Sequence, residues 1–339
     1  MKVLINTDLS VKNTFEVDRL RKNFKGALEM QNELFSTHFK ASFCSLAQFF
    51  SLDEVSMFEL EKKDKKIKYV IALLYQEDDS SGEIILKQNM NKTQYSYAIP
   101  TNFIKNINAY DAIIAPSLEA KKYLESSGIV VPIYVYNGGI KMTKFDLRKS
   151  LTKNICFRYL GFNEGTRLMV TVLKHDDDEA LARAIALANR FQTFKVIALT
   201  QNITKKMKKI LKKGPNNLMV YEILENDVYC SIMYNAELFV NLGSSYGAIL
   251  QTYEAMASFT QVFSLYQSTF SDITIDKKTG YVYNDFASLL NGIDSFLNRT
   301  LPSLVQVEFE YVSKYSIHNS GKELINIYKE IGGNITWSI

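Results

Sequence analysis

The sequence predicts an α/β protein made of two doubly wound, Rossmann-like domains. Seven apolar runs look like buried strands, and helical patterns separate them. Strands that are apolar on both faces and alternate with helices are typical of parallel sheets covered on both sides. The length of 339 residues suits about two domains of roughly 150 residues each. A hydrophobic fraction of 47% and a charged fraction of 22% exclude a disordered or collagen-like chain.

The predicted elements alternate along the chain. Strands are expected at 3–5, 69–75, 112–115, 133–136, 168–173, 194–199 and 238–242. Helices are expected at 18–35, 117–126, 177–191, 203–213, 247–257, 287–297 and 321–331. Acidic residues open the helix at 177–191, where we expect them to cap its first turn, because carboxylates are favoured at helix N-termini.

A domain boundary is expected near Gly138 and Gly139, because two glycines after a strand suit a turn that needs positive φ. The N-terminal domain then covers 1–140 and the C-terminal domain 141–315, and a further helix is expected within 316–339.

The composition also bears on compartment and cofactors. No apolar run reaches the 18 to 20 or so residues that span a bilayer, and the N-terminus looks like a strand rather than a signal peptide. Three scattered cysteines favour a reducing compartment. We therefore expect a cytoplasmic protein, at most peripheral on the inner face of the plasma membrane. Three histidines without a CxxC or HExxH motif argue against zinc, and no metal or other cofactor is expected.

The net charge of +4 is too small to predict a nucleic-acid-binding protein, but lysines cluster in one predicted helix. An apolar stripe there consists of Ile203, Met207, Ile210 and Leu211. The lysines that flank the stripe are Lys205, Lys206, Lys208, Lys209, Lys212 and Lys213. One interpretation is an ordinary amphipathic helix that packs on a sheet, and the other is a contact with an anionic membrane.

The segment 236–257 is typical of an anion-binding strand–loop–helix unit. Its loop leads through Tyr246 and Gly247 into a helix, and the unpaired N–H groups at a helix N-terminus bind phosphate. Glu254 follows two turns into that helix, and a carboxylate there can accept two hydrogen bonds from a ribose diol. The alternative is an ordinary βα unit with a solvated Glu254.

The ordered segments resemble a family 4 retaining glycosyltransferase of the GT-B fold. The segments that carry the resemblance are Asp-Ala-Ile-Ile-Ala-Pro-Ser at 111–117, Pro-Ile-Tyr-Val-Tyr-Asn-Gly at 132–138, Glu-Ala-Met-Ala at 254–257 and Lys-Thr-Gly-Tyr-Val at 278–282. The resemblance covers roughly two thirds of the chain and is dense after residue 108. Within the family it is most similar to the short synthases that add a second sugar to glucosyl-diacylglycerol.

This resemblance implies transfer of a hexose, with retention, from a UDP-sugar to a glycolipid or surface-glycan acceptor. Residues 25–31 would stand in for the family's N-terminal glycine loop. The helix within 316–339 would correspond to the family's C-terminal helix, which returns to the first domain. The residues implied on the donor side are Glu254, Gly247, Tyr246, Ser245 and Lys174. Those implied on the acceptor or sugar side are Gly26, Tyr75 and Gln76.

The sequence also departs from the family pattern. Tyr246 stands where the family has the first of two glutamates, and only Lys174 remains of the Arg–Lys pair expected after the strand at 168–173. No histidine follows the strand at 69–75, and residues 45–68 look too short for the complete βα unit that the family usually has there, so the first domain is expected to be shortened. A second hypothesis is therefore a pseudo-glycosyltransferase that binds or stabilises a partner, such as an active glycosyltransferase. A third, an unrelated doubly wound nucleotide-binding protein, is disfavoured because GxGxxG and Walker motifs are absent.

Overall fold

The computed structural model confirms two parallel-sheet α/β units. It describes residues 2–5, 15–31, 34–36, 45–50, 66–72, 85–88, 95–98, 101–173, 177–200, 202–222, 227–242, 248–266 and 273–332. The first unit comprises 1–141, 268–272 and 314–339, and the second comprises 142–267 and 273–313. In the described part of the chain, every helix is too short or too polar to cross a bilayer.

The first unit is built on a six-stranded parallel sheet. Its strands are β1 (Lys2–Ile5), β2 (Leu34–Ser36), β3 (Leu46–Phe49), β4 (Lys68–Ala72), β7 (Ala112–Ala115) and β8 (Ile133–Val135), and β5 (Ile85–Gln88) and β6 (Tyr95–Ala98) form a separate antiparallel pair. The sheet order is β2-β1-β3-β4-β7-β8. Its helices are α1 (Phe15–Met30), α2 (Thr101–Ile107), α3 (Leu118–Ser126) and the C-terminal α11 (Ile317–Gly332).

The C-terminal helix α11 packs against α1, as predicted for a helix that returns to the first domain. The two helices approach closely at Gly321, where a Cβ atom would lie 2.9 Å from the carbonyl oxygen of Ala27. Gly26 faces the same helix, and its Cβ would lie 3.4 Å from Ile317 Cδ1. The prediction of a glycine loop at 25–31 was therefore wrong, because all but the last residue of this segment belongs to α1 and Gly26 faces a neighbouring helix.

Residues 45–68 contribute one strand to this sheet, β3, whereas 51–65 lie outside the described residues, so the expectation that this segment is too short for a complete βα unit stays a prediction. Strand β3 lies between β1 and β4 and is parallel to both. Its polar Gln48 is completely buried, and it is satisfied by Tyr328 Oη, which donates to its Oε1 at 2.9 Å, and by the carbonyl of Phe49. This strand was not predicted because Gln48, a buried and hydrogen-bonded polar residue, interrupts its apolar run.

The turn after β8 has the backbone that the glycine pair predicts. Gly138 and Gly139 adopt φ values of 86° and 65°. A Cβ atom on Gly139 would lie 2.6 Å from Ser320 Oγ, so both the backbone and the space favour glycine. The division between the two compact units follows at Lys141.

The second unit contains the second six-stranded parallel sheet, in the order β11-β10-β9-β12-β13-β14. Its strands are β9 (Leu168–Leu173), β10 (Lys195–Thr200), β11 (Leu218–Glu222), β12 (Ala236–Asn241), β13 (Gln261–Leu265) and β14 (Tyr281–Tyr283). Its helices are α4 (Ile155–Leu160), α5 (Asp178–Arg190), α6 (Lys205–Leu211), α7 (Asp227–Asn235), α8 (Ala248–Ala257), α9 (Phe286–Leu297) and α10 (Val305–Ser313). Strands β9, β10 and β12 lie within two residues of their predicted bounds.

Candidate functional site

The order of the second sheet reverses between β9 and β12. From β9 the chain proceeds outward through β10 and β11, and from β12 it proceeds outward on the other side through β13 and β14. In open parallel sheets, ligands bind at the carboxyl ends of the strands beside such a switch point. The candidate ligand site therefore lies where β9 ends at Leu173 and β12 ends at Asn241.

Several residues predicted for the site follow these strand ends directly. Lys174 follows β9, and the loop between β12 and α8 contains Ser245, Tyr246 and Gly247. These four residues lie outside the described residues, as do Tyr75 and Gln76 after β4. Their predicted roles stay predictions.

Glu254 is a buried residue of α8. It is 3% exposed, so the alternative of a solvated surface glutamate was wrong. Tyr229 Oη donates a hydrogen bond of 2.5 Å to Glu254 Oε2. Tyr229 is itself buried on α7, and its ring makes an edge contact with Phe145 at 6.2 Å between centroids. The carboxylate is thus held by a side chain that is fixed in turn by packing.

Other polar side chains are buried beside Glu254. Gln251 and Thr252 belong to the same helix, and neither is more than 3% exposed. Burial of a polar group costs free energy unless the group forms a hydrogen bond. The partner can belong to the protein, to water or to a ligand. Their concentration on the helix after β12 marks this helix as a candidate recognition element. Sequence reasoning selected only Glu254, because the other two fit an ordinary amphipathic helix.

Arg183 places a cation at the switch point. It lies on α5, the helix after β9, and its Nη1 donates at 2.7 Å to the carbonyl of Leu242, the first residue after β12. Its other terminal nitrogen pairs with Glu179, and its side chain is 16% exposed. Arg183 was not predicted, because cations were expected immediately after β9. The sequence contains no local signal that separates Arg183 from Arg190, the other arginine of this helix.

The acidic run before α5 has the predicted capping role. Asp177 Oδ1 accepts a 2.8 Å hydrogen bond from the backbone N–H of Ala180. In the first turn, Asp178 pairs with Lys206 and Glu179 pairs with Arg183. These three carboxylates therefore cap the N-terminus of α5 or form ion pairs in its first turn.

The lysine-rich helix α6 packs as an ordinary amphipathic helix. Met207 is buried, and the other stripe residues, Ile203, Ile210 and Leu211, contact the core of the second unit. The lysines Lys205, Lys206, Lys208, Lys209, Lys212 and Lys213 are exposed. The first interpretation of this helix is confirmed, and contact of its lysines with lipid stays a prediction.

Solved structures with a similar fold match almost the whole chain. A glycosyltransferase from Rickettsia africae ESF-5 matches with a TM-score of 0.67 and 14% identity over 98% of this chain and 99% of that one. Sucrose-phosphate synthase from Thermosynechococcus elongatus matches with a TM-score of 0.72 and 11% identity over 98% and 99%. Anabaena HepE in complex with UDP-glucose matches with a TM-score of 0.71 and 12% identity over 97% and 100%.

The chain has the GT-B fold. At 11 to 14% identity these matches show the fold alone. No protein-family model matches the sequence, and no curated protein does. Within the GT-B fold of this chain, Glu254 and Arg183 both lie in the second unit, on the helices that follow the two strands of the switch point.

Proposed function

We propose that this protein is a glycosyltransferase that takes a hexose from a UDP-sugar bound by its second unit. The observation that carries the proposal is the buried carboxylate of Glu254, oriented by Tyr229 on the helix that follows the switch point. The GT-B fold supports it, since a neighbour with the same fold, Anabaena HepE, was solved with UDP-glucose.

In this proposal Glu254 binds the ribose of the donor. A carboxylate can accept several hydrogen bonds, one of which Tyr229 donates here, and a ribose diol supplies two donors. The N-terminus of α8 points its backbone N–H groups and positive dipole toward the diphosphate. Ser245, Tyr246 and Gly247 stand immediately before that helix and Lys174 immediately after β9, so they are proposed to complete the diphosphate site.

Arg183 is added to this set as the cation beside the departing diphosphate. Cleavage of the sugar–phosphate bond passes through an oxocarbenium-like state and leaves negative charge on UDP, which fixed positive groups stabilise. A guanidinium is suited to this task because its planar donors match phosphate oxygens. The proposed reaction needs no resident metal or cofactor.

The finer assignments rest on the family 4 resemblance of the sequence. They are retention of configuration and a glycolipid or surface-glycan acceptor like that of the diglycosyl-diacylglycerol synthases. The protein is proposed to work at the cytoplasmic face of the membrane. Gly26 is left out of the proposed acceptor side, since it faces a neighbouring helix, whereas Tyr75 and Gln76 are retained there.

A second candidate function is a pseudo-glycosyltransferase that acts as a subunit for a partner glycosyltransferase. One observation favours it: Tyr246 stands where the resembled family has its first glutamate, and a phenol does not supply that carboxylate. Under this hypothesis the chain keeps the GT-B fold but does not catalyse the release of UDP from any donor.

Turnover of the purified protein distinguishes the two functions. A panel of UDP-hexoses is incubated with the protein, with and without glycolipid acceptors, and UDP release is measured. The enzyme hypothesis predicts release that Glu254→Ala abolishes. Glu237→Ala is the matched control, because Glu237 lies on β12, is exposed and pairs with Arg167. UDP binding without release by any donor–acceptor pair favours the pseudo-glycosyltransferase.

A further inference from the structure

Positive charge is concentrated in residues 142–160, at the start of the second unit. This segment carries five cations and the single anion Asp146, so its formal charge is 5 − 1 = +4, equal to that of the whole chain. The cations are Lys144, Arg148, Lys149, Lys153 and Arg158, and all five are exposed. Arg148 pairs with Asp146, whereas the other four cations form no ion pair with any residue that the structure describes.

Apolar side chains are exposed within the same segment. Leu151 is 104% exposed, Tyr159 is 55% exposed and Ile155 is 37% exposed. Ile155 and Tyr159 stand four residues apart and share a face of α4. The opposite face of α4 is buried in the second unit through Cys156, Phe157 and Leu160. The segment thus exposes three apolar side chains between its cations, which is a combination typical of interaction surfaces.

The turn that displays Leu151 is held by hydrogen bonds to α7. Ser231 Oγ donates to the carbonyl of Lys153 at 2.7 Å and accepts from the backbone N–H of Cys156 at 3.1 Å. Asn235 Nδ2 donates to the same Lys153 carbonyl at 2.5 Å. The exposed side chains therefore stand on a fixed scaffold and require no folding of the segment upon binding.

We propose that this surface, formed by Lys149, Leu151, Lys153, Ile155, Arg158 and Tyr159, docks the second unit on an anionic lipid bilayer. Interfacial segments combine basic residues, which are attracted by anionic headgroups, with apolar and aromatic side chains that enter the headgroup region. Tyrosine is favoured at this depth because its ring is apolar and its hydroxyl stays hydrated. Both components are present within eleven residues of this surface.

The lysine-rich helix α6 has only one of these components. Its apolar stripe packs on the core, so its exposed side chains offer charge without apolar area. Val130, in the first unit, is 81% exposed, but the residues around it in the sequence, 126–133, carry no charge. An anionic bilayer presents negative charge above an apolar layer, and the 149–159 surface offers both cations and apolar side chains. This surface is therefore favoured over helix α6 and over Val130.

A second copy of the chain is disfavoured as the occupant. A symmetric contact would bring the same cations against each other, and like charges at an interface are repelled. An anionic bilayer can pair with the cations through its headgroups and contact the apolar side chains through its interior. The docking inference does not depend on the donor site, and its test is separate from UDP binding.

The test is co-sedimentation of the full chain with vesicles. We expect binding to phosphatidylcholine vesicles that contain about one third phosphatidylglycerol, and at least about tenfold weaker binding to phosphatidylcholine alone. Leu151→Ser combined with Ile155→Ser should weaken binding about tenfold or more, and Lys149→Gln combined with Lys153→Gln should do likewise. The matched controls are Val130→Ser for apolar loss and Lys208→Gln combined with Lys209→Gln for charge loss.

Each outcome decides the inference. The expected pattern is loss of binding in the two surface variants and little change in the two controls, with circular dichroism and UDP affinity unchanged in all four. Equal losses in the surface and charge-control variants would assign the effect to net charge and overturn the proposal. Absence of binding to anionic vesicles would also overturn it. So would a concentration-dependent dimer that Leu151→Ser dissolves, because the occupant would then be a second copy.

Discussion

Tyr229 donates a 2.5 Å hydrogen bond to the carboxylate of Glu254, joining two buried side chains on the helices that flank β12. A charged group is costly to bury unless hydrogen bonds compensate for lost water. The pair therefore orients an acceptor on the helix after the switch point before any ligand arrives. Preorganisation of this kind reduces the entropic cost of binding.

Removal of the phenol should weaken donor binding. In Tyr229→Phe the carboxylate loses a fixed hydrogen bond, so we expect UDP affinity to fall roughly three- to tenfold, and the free energy of unfolding to fall by about 1–2 kcal/mol. Calorimetry and denaturant titration measure the two effects. Tyr221→Phe is the control, since its hydroxyl donates to Met219 Sδ at 3.6 Å on the edge strand. An unchanged UDP affinity in Tyr229→Phe would contradict the proposed role of the pair.

Arg183 should discriminate between ligands with and without phosphate. Arg183→Ala is expected to weaken UDP binding roughly tenfold or more, because a charge-assisted hydrogen bond to phosphate is lost. Its effect on uridine binding should be small. Arg190→Ala is the control on the same helix, where the arginine pairs with Asp294. Equal losses for UDP and uridine would show that Arg183 merely shapes the loop after β12.

The two glycines of the α1–α11 contact should respond differently to alanine. In Gly321→Ala the new Cβ would lie 2.9 Å from a backbone oxygen, so the helices must separate, and we expect a loss of about 1–3 kcal/mol. In Gly26→Ala the new contact is an ordinary 3.4 Å, and higher helix propensity should offset it. Thermal and denaturant unfolding test both. Similar destabilisation by the two substitutions would contradict the described packing.

Glu308 should make the stability of the second unit depend on pH. Burial raises the pKa of the Glu308 carboxyl from 4.5 to about 8, while the backbone N–H of Val262 and the amide of Gln261 oppose the rise. The folded state thus holds this proton more tightly than the unfolded state. Its contribution is fully present below pH 4.5 and is lost as the pH rises toward 8.

Substitution of this carboxyl removes the dependence. Relative to wild type, Glu308→Gln should gain stability as the pH rises from 4.5 to 8, by up to about 1.4 kcal/mol for each pH unit. Chemical denaturation across this range measures the difference. Glu310→Gln is the control, because Glu310 is exposed and accepts a hydrogen bond from Gln306. Parallel curves for wild type and Glu308→Gln would contradict the assignment.

Apolar runs in the sequence predicted β9, β10 and β12, half of the six strands of the second sheet, because these strands are largely buried on both faces. The cap at Asp177 was also predictable, since capping depends on a local residue pattern. The strand containing Gln48 was missed because its polar residue is satisfied by Tyr328, which is distant in sequence. Arg183 was missed for a similar reason, as its partner Leu242 lies 59 positions away. Contacts of this range depend on the tertiary fold and leave no local signal.

The most direct test of the account is calorimetric titration of UDP and of 2′,3′-dideoxy-UDP into wild type and Glu254→Ala. Each hydrogen bond to a charged group contributes about 1.5–3 kcal/mol, so wild type should prefer UDP by tenfold or more. Glu254→Ala should bind both nucleotides weakly and equally. Equal affinity of wild type for the two nucleotides, or an undiminished preference for UDP in Glu254→Ala, would contradict ribose recognition by Glu254 and with it the proposed donor site.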